Sequence, residues 1–319
     1  MASFVVKNNS KDGFHMSSEF QNFPVTFVNA LRRIVLSDIP TVVIRDIQII
    51  SNTTQMPHEM LRHRMELLPV NVDPSDTSII KDAVIELRLF ADPDKDRDIT
   101  TDDFVVQSGR EHILMKDRDL DTPLLFLRVK KGEVVHVKAR LSVENGSQVC
   151  TATTKFHIDE ERAKVDKKAY VDNGGDPRVF DNFDIQKSYS VDKIGRPNWI
   201  DMSIESVGVL KSKHILKLAV QGLAKLVDEW MNAAVDNIAR ESEKHVYSIS
   251  LEQGGHTVGA LLQETIYHSQ EVDFVSYDIT HPLKKMMVLR FLTKETPENI
   301  LKKTKATIHE YCELVEKAL

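Results

Sequence analysis

Val28-Asn29-Ala30-Leu31-Arg32 and Val258-Gly259-Ala260-Leu261-Leu262 are two copies of one pattern, about 230 residues apart in a chain of 319. Each lies in an apolar stretch with helical spacing, and each is followed in the same register by a β-branched run. The first run carries Val42, Ile44, Ile47 and Ile49; the second carries Val272, Phe274, Tyr277 and Ile279. A helix-then-strand unit repeated near both ends, with different material between, predicts that the two ends pair with each other. The expected fold is α+β: an intramolecular pseudo-dimer with a mainly β domain inserted in its first unit. The functional question then becomes one of assembly.

Around the first copy, Phe4, Val5 and Val6 read as a strand and Lys11-Asp12-Gly13 as a turn. Pro24 opens a helix through Phe27, Leu31, Ile34 and Val35, and Pro40 stops it. A second helix begins at Pro57, with Leu61, Met65 and Leu68 as its apolar stripe and Pro69 as its end. The character changes after Asn71. Ala83, Ile85, Leu87 and Leu89 alternate with Glu86 and Arg88 as a half-buried strand. Leu125, Leu127 and Val129 lead through Lys131-Gly132 into residues 134–137, a hairpin signature. Polar, turn-rich stretches at 92–103 and 172–177 interrupt this block, and its loops are where partner contacts are expected.

Regular patterning returns at Trp199, with Ile200, Met202 and Ile204 along a strand and a turn at Gly208. A helix of about seven turns follows from Ser212, striped by Leu216, Val220, Leu223, Val227, Met231 and Ile238. After a charged join at 241–244 come a strand through Tyr247, Ile249 and Leu251, a turn at Gly254-Gly255, and a helix through Leu261, Leu262 and Ile266. Two strands then flank His281-Pro282. Pro297 opens a terminal helix whose Ile300, Thr304, Ile308, Tyr311 and Val315 recur at spacings of three and four. That amphipathic helix needs a partner, and the long helix is the natural one. The expected domains are 1–45 with 196–245, an insert at 46–195, and a small unit at 246–319. Leu216, Val220, Leu223, Val227, Met231, Leu261, Leu262, Ile300, Ile308, Tyr311 and Val315 are the expected pairing residues.

Composition removes several classes of function. The chain is 41% hydrophobic and 28% charged with a net charge of −6, which gives no footprint for holding a duplex. No apolar run approaches the ~20 residues of a membrane span, and the start of the chain lacks a signal pattern, so an intracellular protein without membrane contact is expected. Cys150 and Cys312 alone exclude a disulfide framework and a four-cysteine metal site. In His58-Glu59-Met60-Leu61-Arg62-His63 the histidines are five apart, which places them roughly 140° apart around a helix and unable to share a metal. Gly254-Gly255 is not followed by a phosphate-loop Lys-Ser/Thr. His112, His136 and His157 lack a spaced set of cysteines or carboxylates, and Asp92-Pro93-Asp94-Lys95-Asp96 lacks the glycine and glutamate of a calcium loop. No catalytic, metal or cofactor residue is therefore assigned. Two clusters remain, Asn29-Arg32-Arg33 and Glu59-His63-Arg64; they fit solvated helix faces and a docking edge equally, arginine being suited to bidentate recognition of carboxylates.

The run Asn29-Ala30-Leu31-Arg32-Arg33-Ile34-Val35-Leu36-Ser37-Asp38-Ile39-Pro40-Thr41, with Glu59, His63-Arg64 and Leu67-Leu68-Pro69, closely resembles the signature of the alpha-like subunits of multisubunit DNA-directed RNA polymerases. These are the third-largest subunit of polymerase II, its archaeal counterpart and bacterial alpha. Ile204-Glu205-Ser206-Val207-Gly208 looks like the place where that family's dimerisation domain resumes after its insert. His256-Thr257-Val258-Gly259-Ala260-Leu261-Leu262, with Tyr277 and His281-Pro282-Leu283, is similar to the small partner of that subunit, the eleventh of polymerase II and its archaeal counterpart.

The resemblance implies a fused heterodimer: a non-catalytic platform for transcription on which the two largest, catalytic subunits assemble. It assigns Asn29, Arg32, Arg33, Glu59, His63 and Arg64 to the edge facing a large subunit. Partners resembling the small zinc subunits, tenth and twelfth, are implied as well. DNA and RNA would be met only through the complex, and catalytic magnesium and zinc only in other subunits. Fusion points to a large DNA virus, and so to a viral factory in the host cytoplasm, the nucleus or the virion. One departure stands out. Many relatives carry metal-binding cysteines in the insert, and here it has only Cys150. The alternatives are a self-pairing structural adaptor outside transcription and a standalone enzyme.

Overall fold

The computed structural model describes residues 2–90, 95–107, 113–145, 150–281 and 283–319. In chain order the first elements are β1 (Ser3–Asn9), β2 (His15–Gln21), α1 (Val25–Ser37), β3 (Pro40–Asn52), α2 (His58–Glu66) and α3 (Thr77–Asp82). There follow β4 (Val84–Leu89), β5 (Arg97–Thr100), β6 (Val105–Gln107), β7 (Leu125–Val129), β8 (Val135–Asn145) and β9 (Cys150–Phe156). The remainder are α4 (Glu160–Asp172), α5 (Pro177–Asn182), β10 (Trp199–Ser206), α6 (Ser212–Val235), β11 (Ile238–Arg240), β12 (Val246–Leu251), α7 (Gly255–His268), β13 (Phe274–His281), β14 (Lys284–Leu292) and α8 (Pro297–Ala318). The fold is α+β with several antiparallel sheets. Among the described residues, no helix is long and apolar enough to cross a membrane.

The chain divides into two compact units. The first comprises Met1–Val35, Ala152–Ile204 and Lys213–Leu319; the second comprises Leu36–Thr151 and Glu205–Ser212. Residues 152–195, grouped with the insert on sequence grounds, thus lie within the first unit.

In the first unit, one sheet has the order β1-β2-β10-β9 and another the order β11-β12-β14-β13. Alternation along β2 buries Met16, Ser18 and Phe20 and leaves His15, Ser17 and Glu19 on the other face, the pattern of a sheet with one core side. Helix α1 buries Phe27, Val28, Ala30, Leu31, Ile34 and Val35, as the 3.6-residue period requires. Helix α8 has Pro297 in its first turn and buries Ile300, Leu301, Thr304, Ile308, Cys312 and Val315.

Helix α6 ends earlier than its apolar stripe suggests. The Asn237 backbone N–H donates to the Ala234 carbonyl at 3.0 Å and its side-chain amide to the Ala233 carbonyl at 2.8 Å, closing the last turn. Ile238 therefore belongs to β11, where it pairs with Ile249 of β12.

The second unit is built around the sheet β3-β8-β4-β6, with β5 and β7 forming a two-stranded sheet. Its core includes Ile44, Leu61, Met65, Ile85, Leu87, Phe126 and Val137. Phe104 meets Phe126 edge-on at 5.1 Å. A bulge between Arg45 and Gln48, with Asp46 at φ +51°, resets the phase of β3, so that Ile47 is buried three residues after Ile44.

The hairpin expected across Lys131-Gly132 does not form. The turn is present, with Gly132 at φ +79° and the Glu133 N–H donating to the Lys130 carbonyl at 3.1 Å. Yet β8 is flanked by β3 and β4 on its two sides, which leaves no edge for β7, and β7 pairs with β5 instead. The acidic stretch considered for calcium falls mostly outside the described residues, as does His112.

Helices α4 and α5 were not expected. Of α4 only Ala163 is buried, so it lacks an apolar stripe; its start is set by Asp159, whose side chain accepts from the Glu161 and Arg162 N–H groups.

Candidate functional site

The two copies of the repeated pattern meet directly in the first unit. The Thr26 N–H at the start of α1 donates to Glu264 Oε2 of α7 at 3.0 Å. At the other end of the contact, Arg33 Nε donates to Thr257 Oγ1 at 2.8 Å. An early residue of one helix contacting a late residue of the other, twice, makes the helices antiparallel. It is also the reciprocal contact pattern of a two-fold interface, here realised between two halves of one chain. Glu264 places a carboxylate on the unsatisfied N–H groups and positive dipole end of α1, so the second copy caps the helix of the first.

The copies differ at their centres. Asn29 is exposed and its side-chain oxygen accepts from Arg32 Nε and Nη2 at 3.1 and 3.0 Å. At the equivalent place Gly259 is buried, and a methyl group there would lie 2.5 Å from Tyr277 Cδ2 and 2.8 Å from Met287 Sδ. Only glycine lets α7 sit this close to β13 and β14. The Tyr277 ring is held in place by its own backbone N–H, which donates to Gln263 Oε1 at 3.2 Å, and by a 3.4 Å contact between its hydroxyl and His256 Nδ1. Gly259 and Thr257 stand in the quoted motifs, but the sequence assigns no contact to either of them or to Glu264. A glycine inside an otherwise helical apolar stretch was the one signal available for them.

Of the expected pairing residues, Leu216, Val220, Leu223, Val227, Met231, Leu261, Leu262, Ile300, Ile308 and Val315 are buried in the first unit. Tyr311 is half-buried, its ring 5.4 Å from Phe23 and 5.5 Å from Phe27, which joins the last helix to the first. Polar contacts line the α6–α8 seam: Asp228 accepts from Lys305 at 2.8 Å and contacts His309 Nε2 at 2.7 Å, and Gln221 donates to Glu316 at 2.9 Å. These contacts, led by the hydrogen bond from Lys305, hold the Asp228 carboxyl below its ordinary range against the opposing effect of burial. A methyl group on Gly222 of α6 would stand 3.6 Å from Ile34 of α1, an ordinary contact.

The six docking candidates divide between the units. Asn29, Arg32 and Arg33 belong to α1 in the first; Arg33 is tied to Thr257, while the Arg32 side chain bonds to Asn29 on its own helix face. Glu59, His63 and Arg64 belong to α2 in the second and are exposed. Arg64 Nε donates to the Phe126 carbonyl at 2.9 Å, so this arginine also fastens α2 to β7. Behind it, Arg45 bridges Glu66 at 2.9 Å and Glu144 at 2.7 Å, and the Glu144 carboxyl is lowered mainly by the Arg45 hydrogen bond.

The sequence holds two cysteines, too few for the metal-binding set that the resemblance implies in the insert. Cys150 and Cys312 are both buried, in the second and the first unit respectively, and burial pushes the Cys312 thiol up to about 12.

Residues 18–227 match a family model described as the RNA polymerase Rpb3/Rpb11 dimerisation domain, and residues 247–318 match a second model with the same description. Similar curated proteins include the DNA-directed RNA polymerase subunit Rpo3 of Aeropyrum pernix, 28% identical over 153 residues that make up 43% of this chain and 51% of that protein. The DNA-directed RNA polymerases I and III subunit rpac1 of Dictyostelium discoideum is 23% identical over 290 residues, 73% of this chain and 84% of that protein. Rpo3 of Methanocaldococcus jannaschii is 27% identical over 143 residues, 43% of this chain and 68% of that protein. The chain thus spans about half the length of the first of these relatives and more of the other two.

Proposed function

Because the chain belongs to the family of RNA polymerase Rpb3/Rpb11 dimerisation domains and carries two of them, we propose that it is a non-catalytic, alpha-like assembly subunit of a DNA-directed RNA polymerase. Its large alpha-like unit and its small partner are joined on one polypeptide. The observation that carries this reading is the antiparallel α1–α7 contact, in which Glu264 and Thr257 of one copy bond to Thr26 and Arg33 of the other. Covalent linkage fixes a one-to-one ratio and raises the effective concentration of each half for the other.

In this reading the paired frame presents Asn29, Arg32 and Arg33, and separately Glu59, His63 and Arg64, to the two largest subunits. Subunits like the small zinc-bearing ones dock elsewhere on it, and nucleic acid is reached only through the complex. The relatives named above are archaeal and eukaryotic, and they lend no support to a viral source.

Co-expression with the two largest subunits of the same polymerase tests the proposal. A stable complex is expected, and Arg32→Glu should abolish it while leaving the fold intact, because among the described residues the Arg32 side chain bonds to Asn29 on its own helix. No complex, or a complex indifferent to that reversal, would refute the docking assignment. A homodimer that binds no polymerase subunit would favour the adaptor alternative.

A further inference from the structure

On the solvent face of the β1-β2-β10-β9 sheet, three neighbouring strands converge on one polar cluster. Glu19 comes from β2 and Asp201 from β10; His157 follows directly after β9. Each offers one ligand atom, and these three atoms lie within 4.8 Å of one another, the one such grouping of three among the described residues. His157 Nδ1 is 2.9 Å from Asp201 Oδ1. All three side chains are mostly covered, at 12%, 22% and 29% exposure for Glu19, Asp201 and His157.

Their surroundings fix them in place. The Trp199 ring stacks on the imidazole at 3.9 Å between centroids and an angle of 11°, and its indole N–H donates to Glu19 Oε2 at 3.2 Å. The backbone of His157 is bonded on both sides, its N–H to the Trp199 carbonyl at 2.9 Å and its carbonyl to the Ser190 N–H at 2.9 Å. One aromatic residue thus orients two of the three ligand groups, the outer support that metal ligands ordinarily have.

From this geometry we propose that Glu19, His157 and Asp201 form a site for a divalent cation of the zinc class. One imidazole and two carboxylates suit a borderline metal, with solvent completing a four-coordinate shell. Two ligand atoms on a tetrahedral zinc ion stand ~3.4 Å apart. Atoms up to 4.8 Å apart must therefore close by up to ~1.4 Å through side-chain rotation, and the 2.9 Å His157–Asp201 contact must open. Two lysines compete for the carboxylates: Lys7 lies 3.1 Å from Glu19 and Lys155 lies 3.8 Å from Asp201. Both reach in from the rim, with exposures of 52% and 76%, so solvent screens the lysine end of each pair while the carboxylates stay mostly covered, and a metal must displace the lysines. Bound metal would clasp β2, β10 and β9 together in a chain that lacks cysteine ligands. The site was invisible to motif reading because His157 and Asp201 are 44 residues apart and Glu19 is further still.

The test is calorimetric titration of the chelator-stripped full chain with ZnCl2, accompanied by Co2+ absorption spectra. One saturable site and Co2+ bands of nitrogen–oxygen ligation are expected, with a rise in Tm on adding Zn2+. Asp201→Asn keeps the side-chain shape and should weaken binding about tenfold or more. It should also remove the Zn2+-dependent Tm rise without changing the metal-free Tm. Lys155→Ala, which removes a competing cation, should tighten binding. Should Asp201→Asn fail to fold, Glu19→Gln takes its place. The absence of saturable binding, or binding undiminished in the carboxylate variants, would overturn the assignment. The polymerase reading stands or falls separately.

Discussion

Two glycines, both inside helices, should respond to alanine with opposite signs. At Gly259 of α7, an added methyl group would meet Tyr277 Cδ2 at 2.5 Å, Met287 Sδ at 2.8 Å and Tyr277 Cγ at 2.9 Å. Ordinary carbon contacts lie at about 3.5–4.0 Å, so the ring must retreat by roughly 1 Å. Met287 can adjust, but Tyr277 is held through Gln263 and His256. Overpacking of this kind costs about 1–3 kcal/mol, against a helix-propensity gain of about 1 kcal/mol for alanine. Gly259→Ala should therefore destabilise by about 1 kcal/mol. At Gly222 of α6 the nearest atom would be Ile34 Cγ2 at 3.6 Å, which costs nothing, so Gly222→Ala should stabilise by about 0.5–1 kcal/mol. Urea unfolding followed by tryptophan fluorescence reads both as shifts of midpoint at constant slope. Replacing Tyr277 by Ala in the Gly259→Ala background should erase the penalty, a coupling that a double-mutant cycle measures. If Gly259→Ala raised the midpoint as Gly222→Ala does, the close approach of α7 to β13 and β14 would be refuted.

Leu261→Ala, at a fully buried position on α7, should cost about 2–5 kcal/mol of stability by the same assay. The Asp228 carboxyl is depressed below 3.8 chiefly by Lys305, so its contribution to stability is complete above that value and is lost as the pH falls through the lower folded one. Asp228→Asn should remove that part of the acid loss, about 0.2–1 kcal/mol for a partly exposed pair, as measured by Tm between pH 5 and pH 2. The Cys312 thiol, pushed up to about 12 by burial, should resist alkylating reagents at pH 8 in the native chain and react at once in denaturant, as read by mass spectrometry.

What was legible in the sequence was whatever repeats with the period of an element. The stripes of α1, α6 and α8, with Pro24, Pro40 and Pro297 as punctuation, place those helices because burial and proline geometry act locally. Local signals stop at identifiable places. The end of α6 depends on the Asn237 cap and not on the apolar Ile238, and the partner of β7 depends on which sheet edges are already taken. Helix α4 buries one alanine, so periodicity had nothing to register. The burial of the expected pairing residues follows from the same periodicity. The contacts between α1 and α7, from Glu264 and Thr257, are set by residues distant in the chain and carry no local pattern.

The subunit stoichiometry of the natively purified complex tests the account most directly. Affinity purification through this chain, followed by quantitative mass spectrometry, should recover one copy of it for each of the two largest RNA polymerase subunits, with no separate small partner of the Rpb11 type. Two copies of this chain per complex, or recovery of the chain without the largest subunits, would contradict the fused assembly dimer.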